Sequence, residues 1–323
     1  MSRKLFYVLF GILLYVTVFS VETWAVRNLT YSVGATVGGA YTYHVAEANV
    51  INKNVPDVNV IVRGGGGVLN VRRLVKHEVD VGTIDIKLAW EAMKAKGPFQ
   101  KDPPAPDLRL LLTTMCNGYQ FVVLKDSGIK TIYDLEGKEF NPGLLGGTTE
   151  TVAMDIFTTL GVKPKLRHMN NNDAVEAVKN GTLVGWVQTV VPAALVMDVA
   201  SVKKIHIISF SDKDMEKITK IVGLRWAKYP AGIYSGVEAF QTVDNEWADF
   251  TMKDFPEELA YKWVKTVYEH KAELKQINPG FLGDKFVEIT TSAQACYLHP
   301  GAIKFYREIG IKIPERLIPP EMK

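Results

Sequence analysis

The chain has 323 residues, 47% of them hydrophobic, and a formal net charge of +3 at neutral pH. That is enough apolar chain for one large core or two modest ones, and two lobes fit better. With no block of basic residues, the composition points to neither nucleic acid nor an acidic membrane surface as a partner.

In chain order, Arg3 and Lys4 precede an apolar run from Leu5 to Val21, and Thr23-Trp24-Ala25 then offers small residues for cleavage. This is the pattern of a secretory signal peptide over residues 1–25, cut after Ala25. The run is short for a membrane anchor, there is no cysteine at the junction to carry a lipid, and no later stretch is long enough to span a bilayer. The mature protein is therefore expected to be exported to the periplasm without direct membrane insertion. Cys116 and Cys296 stand outside any metal-ligand spacing and are either one disulfide or two buried thiols.

Leu29–Val33 reads as a strand, a glycine-bearing turn follows, and a helix runs from about Tyr41 to Asn52. The grammar repeats: strand Val58–Arg63, the four-glycine turn Gly64–Gly67, helix Val68–Lys76, then strand Val79–Ile84. Four glycines before a helix leave no side chain between the backbone and an approaching ligand, and the helix start favours an anion. The turn is neither G-x-G-x-x-G nor a P-loop, which disfavours nucleotides. Prolines between Gly97 and Asp107 mark a surface connection. Leu108–Met115 and Tyr119–Lys125 read as two strands crossing from one lobe to the other. Lys138–Asn141 ends in a third glycine turn, Gly143 to Gly147, with Thr148 and Thr149 before helix Glu150–Leu160. Strand Lys165–His168, helix Asn172–Lys179, strand Leu183–Val187 with Gln188 at its end, strand Ile205–Ser209 and helix Asp212–Ile221 continue the second lobe. A long amphipathic helix is expected over Pro256–Lys275. No low-complexity segment or short-period repeat is visible.

Several segments together resemble the TAXI-type solute-binding proteins of TRAP transporters, over essentially the whole mature chain. Gly38-Gly39-Ala40-Tyr41 is similar to the family's Gly-Gly-Thr-Tyr, and Gly65-Gly66-Gly67-Val68-Leu69-Asn70 to its Gly-Gly-Ser-Val-x-Asn. Asp126-Ser127-Gly128-Ile129 through Lys138, Gly143–Thr148, and Ala231-Gly232-Ile233-Tyr234 with Thr242-Val243 follow its pattern. Leu298-His299-Pro300-Gly301-Ala302 with Tyr306-Arg307-Glu308 matches its C-terminal signature. Where the family has Gln-Ser-Asp this chain has Asp85-Ile86-Lys87, its glycine-motif serine is Gly67, and its Asp-Ala pair is Val184-Gly185.

The resemblance implies an α/β, two-lobed type II periplasmic-binding-protein fold. Each lobe would be a mostly parallel sheet flanked by helices, with a ligand cleft between. Residues 26–115 with 232–323 would form lobe I and 116–231 lobe II. It also implies capture of a small organic anion, an amino acid or carboxylic acid, for delivery to TRAP transporter membrane subunits. A receptor domain feeding a membrane sensor is the alternative, and an enzyme on the same fold a further one. There is no G-x-S-x-G, no H-E-x-x-H and no cysteine–histidine constellation, so no catalytic residue, metal or cofactor is expected.

The ligand-binding candidates each have a structural alternative. Tyr41 offers a ring and hydroxyl, or packs a helix start. Gly66, Gly67 and Val68 offer backbone donors, and Asn70 touches ligand or fixes the loop. Asp85, at a strand's carboxyl end, accepts from a ligand amine or hydroxyl, pairs with Lys87, or caps the next helix. Thr148 and Thr149 bond a carboxylate or cap their own helix. Gln188 and Tyr234 complete the set, while His299 is expected to be structural.

Overall fold

The computed structural model describes residues 26–34 and 39–323. The expected signal peptide, residues 1–25, and residues 35–38 of the first glycine turn lie outside the described residues. The first half opens with strand β1 (Arg27–Ser32), helix α1 (Gly39–Asn54), β2 (Val58–Arg63), α2 (Gly67–Val75), β3 (Val81–Asp85) and α3 (Ile86–Met93). β1 pairs in parallel with both β2 and β3, so the order β2-β1-β3 follows from two helical crossovers. All five residues of β3 are buried, as expected of a strand covered on both faces.

β4 (Leu108–Leu124) is one strand of 17 residues, where the sequence suggested two. The polar break Cys116-Asn117-Gly118 does not interrupt it, because β10 (Phe240–Met252) pairs antiparallel through that segment, matching Glu246, Asn245 and Asp244 to it in turn. Gly118 is needed there for space: a Cβ would stand 2.5 Å from the Tyr229 hydroxyl. Sequence periodicity did not identify β10 or its partner β9 (Leu224–Tyr229). β10 also pairs with β3, setting Trp247 opposite Asp85.

Beyond Gly118, β4 pairs antiparallel with β7 (Gly185–Thr189) and β8 (Ile205–Ile207). β5 (Glu139–Asn141) runs parallel to β6 (Lys165–Leu166) and to β7. Helices α4 (Thr148–Leu160), α5 (Asn171–Lys179), α6 (Ala194–Val202) and α7 (Asp212–Ile218) cover this half. The C-terminal helix is broken at His270 into α8 (Glu257–Glu269) and α9 (Lys271–Ile277), because His270 leaves helical geometry at φ −104°, ψ 14°. α10 (Phe286–Thr291), β11 (Tyr297–Leu298) and α11 (Pro300–Glu308) return to the first half, where β11 pairs with β4.

The strands form one curled sheet, but the apolar interior is divided. One hydrophobic cluster takes β4 residues up to Met115 and β10 residues from Ala248 onward. Two others take β4 from Tyr119 and β10 up to Val243. In one of these, Phe121 stacks on Phe140 and meets Phe157 and Phe210 edge-on, so truncating it to alanine costs about 3–5 kcal/mol. Cys116–Gly118 and Asp244–Glu246 belong to no cluster, and they form a polar seam between the two sets of apolar packing. Cys116 and Cys296 are both free thiols. Among the described residues no helix is long and apolar enough to cross a membrane.

Candidate functional site

The carboxyl ends of the parallel strands converge on the seam from both sides. Asp85 ends β3 opposite Trp247, whose other neighbour is Met115, and Thr189 ends β7 opposite Tyr119. Asn117 and Tyr119 stand two residues apart on β4 and share a face, and Asn245 lies directly opposite Asn117. All three are buried. Asn245 Nδ2 donates to the Tyr119 hydroxyl at 3.4 Å, a long bond. Asn117 Nδ2, Asn245 Oδ1 and Glu246 Oε2 have no hydrogen-bond partner among the described residues. Buried polar atoms are nearly always paired, so a donor and an acceptor left open on adjacent strands mark a place for a ligand's polar group or a water. Burial, with a smaller contribution from the charge of Asp85, pushes the Tyr119 phenol well above its ordinary pKa.

Asp85 is only 4% exposed, and it is the N-cap of α3: its Oδ1 accepts from the Leu88 N–H at 2.9 Å. Burial pushes its pKa up to about 6 against the pull of the Leu88 bond and of Lys87. A Cβ on Gly67 would come within 3.8 Å of Asp85 Oδ2 and 2.6 Å of Leu88 Cδ1, so the glycine turn lies directly against that second oxygen. Lys87 does not pair with Asp85; it joins Glu91 and, at 3.0 Å, Asp155 on α4. Burial alone would lower the lysine's pKa, but Glu91 and Asp155 outweigh it and hold the ammonium charged. The pair links a helix of one half to a helix of the other across the seam. Arg225 does the same from β9, reaching Glu246 and the hydroxyl of Ser292.

Of the other sequence candidates, Asn70 is committed to the loop. Its amide donates to the carbonyls of Val33 (3.2 Å) and Thr83 (2.8 Å), and its Oδ1 accepts from Ser32 (2.7 Å) and the Gly66 N–H (3.3 Å). The close approach needs Gly65, where a Cβ would fall 2.1 Å from Asn70 Oδ1; beside Gly66 there is open space. Val68 and Tyr41 are half-buried and pack on the first cluster. Thr148 and Thr149 open α4 behind Gly147, which supplies no side-chain cap, and neither hydroxyl is bonded among the described residues. Gln188 is engaged internally, accepting from Asn171 (3.0 Å) and Trp186 (3.3 Å) and donating to the Thr189 carbonyl. Tyr234 is buried in the third cluster with its hydroxyl accepting from the Ala193 N–H at 2.8 Å, which gives it a packing role. His299 caps α11, accepting from the Gly301 N–H at 3.1 Å.

Sequence reasoning missed Asn117, Tyr119, Asn245 and the Lys87–Asp155 bridge. The available signal was Asn117-Gly118, polar residues standing between two apolar runs.

Among solved structures, the chain is similar to a TctC solute-binding protein from Polaromonas, at 14% identity and a TM-score of 0.54, over 81% of this chain and 91% of that one. It is also similar to the alkanesulfonate-binding protein SsuA of Xanthomonas axonopodis pv. citri bound to MOPS, at 12% identity and a TM-score of 0.43, over 77% and 72%. At such identity the likeness to the Polaromonas protein is one of fold, mixed α/β and periplasmic-binding-protein-like. The profile of the NMT1-like family matches residues 31–310, and the chain belongs to that family.

Proposed function

We propose that this protein is an exported solute-binding protein that captures a small organic anion at the seam and delivers it to the membrane subunits of a TRAP-type transporter of the TAXI class. In this reading the leader is cut after Ala25 and the mature chain works in the periplasm. The lobe boundary is drawn at the seam: residues 26–115 with those after Glu246 form one lobe and residues 119–243 the other, because Tyr234, Phe240 and Val243 pack in the second half's clusters and not with residues 26–115 as the sequence suggested. The observation that carries the proposal is the open pair at the seam, Asn117 Nδ2 and Asn245 Oδ1, beside the buried carboxyl of Asp85. The uncapped start of α4, with the free hydroxyls of Thr148 and Thr149, suits a ligand carboxylate. Asp85 suits an amine or hydroxyl on the same molecule. The ligand class is therefore an amino acid or a hydroxylated carboxylic acid. Chemistry on the ligand is not expected from Cys116: burial pushes its thiol up to about 12, so it stays protonated.

The test is a thermal-shift screen of residues 26–323 against carboxylates with and without an amino or hydroxyl group. A ligand that binds only the folded state raises the melting temperature by mass action. We expect hits confined to bifunctional acids. A screen in which no organic anion stabilises the protein, or only neutral compounds do, removes the ligand class.

A further inference from the structure

A second polar cluster lies wholly inside the first half, away from the seam. His44 and Glu47 stand one turn apart on α1, and Asp249 comes from β10; all are fully buried. One ligand-type atom from each of the three lies within 4.8 Å of the others. The Tyr31 hydroxyl sits among them, 2.6 Å from His44 Nδ1, 2.5 Å from Asp249 Oδ1 and 3.1 Å from Glu47 Oε2. No lysine or arginine pairs with either carboxylate among the described residues. Two carboxyl groups thus share an apolar interior with no protein cation to balance them.

The outer contacts are arranged as they are around metal ligands. Trp263 Nε1 donates to Glu47 Oε1 at 3.0 Å, and Thr83 Oγ1 donates to Asp249 Oδ1 at 3.0 Å. Each carboxyl therefore has one oxygen held from behind; of the other two, Glu47 Oε2 accepts from Tyr31 and stands 3.4 Å from His44 Nδ1, and Asp249 Oδ2 has no hydrogen-bond partner among the described residues. His44 Nε2 lies 3.4 Å from Thr83 Oγ1, which leaves Nδ1 directed at the cluster. The Tyr43 hydroxyl, equally buried, faces Glu47 as well. Bonds of this kind, made behind a ligating group, fix its orientation. His44 Nδ1 and Glu47 Oε2 stand 3.4 Å apart, the roughly 3.3–3.5 Å that separates ligands about 2.0–2.2 Å from a tetrahedral ion, whereas the Tyr31 oxygen is at hydrogen-bond distance from His44 and Asp249 and has to draw back from both to take up an ion.

We propose that His44, Glu47 and Asp249 bind a divalent transition-metal ion, with the Tyr31 oxygen in the fourth position. One imidazole among oxygen donors suits zinc or manganese rather than calcium or magnesium, which take oxygen ligands. The ion neutralises both carboxylates and pins α1, whose first turn leads from the glycine loop, to β10. Because the site is closed, the ion enters as the chain folds, and its binding energy is folding energy.

The test unfolds residues 26–323 in guanidinium with EDTA and refolds them with zinc, with manganese, or with EDTA alone. Metal content is read by plasma mass spectrometry after desalting, and melting temperature by calorimetry. We expect about one ion per chain and a higher melting temperature in the metal-refolded protein. His44→Gln and Asp249→Asn are expected to hold less than about a tenth of that metal. Should a variant fail to fold, the wild-type comparison decides alone. Wild type that retains neither ion and melts identically in EDTA overturns the site, and so does metal held equally by both variants.

Discussion

The two glycine turns that face the seam are built in opposite ways. Gly64–Gly67 is anchored from beneath: Asn70 ties it to β1 and β3, Ser32 bonds Asn70, and Arg73 reaches both Ser32 and the Gly64 carbonyl. Gly143–Gly147 has little such anchoring. Its leucines Leu144 and Leu145 are 58% and 76% exposed, and the helix behind it begins without a side-chain cap. The difference separates two jobs. A turn whose bonds are all made inside the protein holds a site in shape, whereas unmade bonds at a helix start are left for something else to satisfy.

The largest effect expected from this contrast is on stability, at Asn70. Asn70→Ala strands two backbone carbonyls and the Ser32 hydroxyl in the interior, and each such group costs about 1–3 kcal/mol. Chemical denaturation should show a loss of roughly 3 kcal/mol or more. If Asn70→Ala instead melts like wild type but no longer binds ligand, the anchored turn is itself the contact surface and the contrast fails.

Next in size is Asp85. Asp85→Asn keeps a good N-cap for α3, so the melting temperature should change little. Loss of a charge-assisted bond to a ligand amine is worth about 1.5–3 kcal/mol, a tenfold to more than hundredfold drop in affinity by calorimetric titration. An unchanged dissociation constant would leave Asp85 as a cap only. The same residue gives a pH signature. Its folded pKa, about 6, lies above the ordinary carboxyl value. Its contribution to stability is therefore full at low pH and is lost as pH rises through 6. Binding of an amine runs the other way, because only the ionised form attracts it. Affinity for an amino acid should weaken by roughly tenfold between pH 7 and pH 5, and Asp85→Asn should flatten the profile.

A smaller effect is expected at the open turn. Thr148→Ala with Thr149→Ala removes hydroxyls that bond nothing among the described residues, so stability should move by less than about 0.5 kcal/mol. Affinity for a carboxylate should fall by about 0.5–1.5 kcal/mol per bond lost. A lower melting temperature with intact affinity would show that these threonines serve their own helix. Smallest is Asp155→Asn. Asp155 is partly exposed and Glu91 still holds Lys87, so the pair contributes no more than about 1 kcal/mol. Small-angle scattering should show a slightly larger radius of gyration without ligand, as one strut across the seam is lost.

Much of the first half was legible in the chain itself. The alternating valines and isoleucines of Val58–Arg63, the glycine turn and the helix after it are local patterns, and β2 and α2 fall within a residue of where those patterns put them. Asp85 could be placed at a strand end because Val81-Gly82-Thr83-Ile84 before it carries no charge. Local pattern could not identify β10, whose polar residues Asp244, Asn245 and Glu246 look like a loop until β4, more than 120 residues earlier, pairs with them. Nor could it tell that Asn117 and Asn245 face each other, or that His44 and Glu47 meet Asp249 some 200 positions away. Helix and strand periods are set by neighbours a few residues apart, so a single sequence carries them. Which buried polar atoms are left open depends on pairings between distant strands, and only the folded chain brings those together.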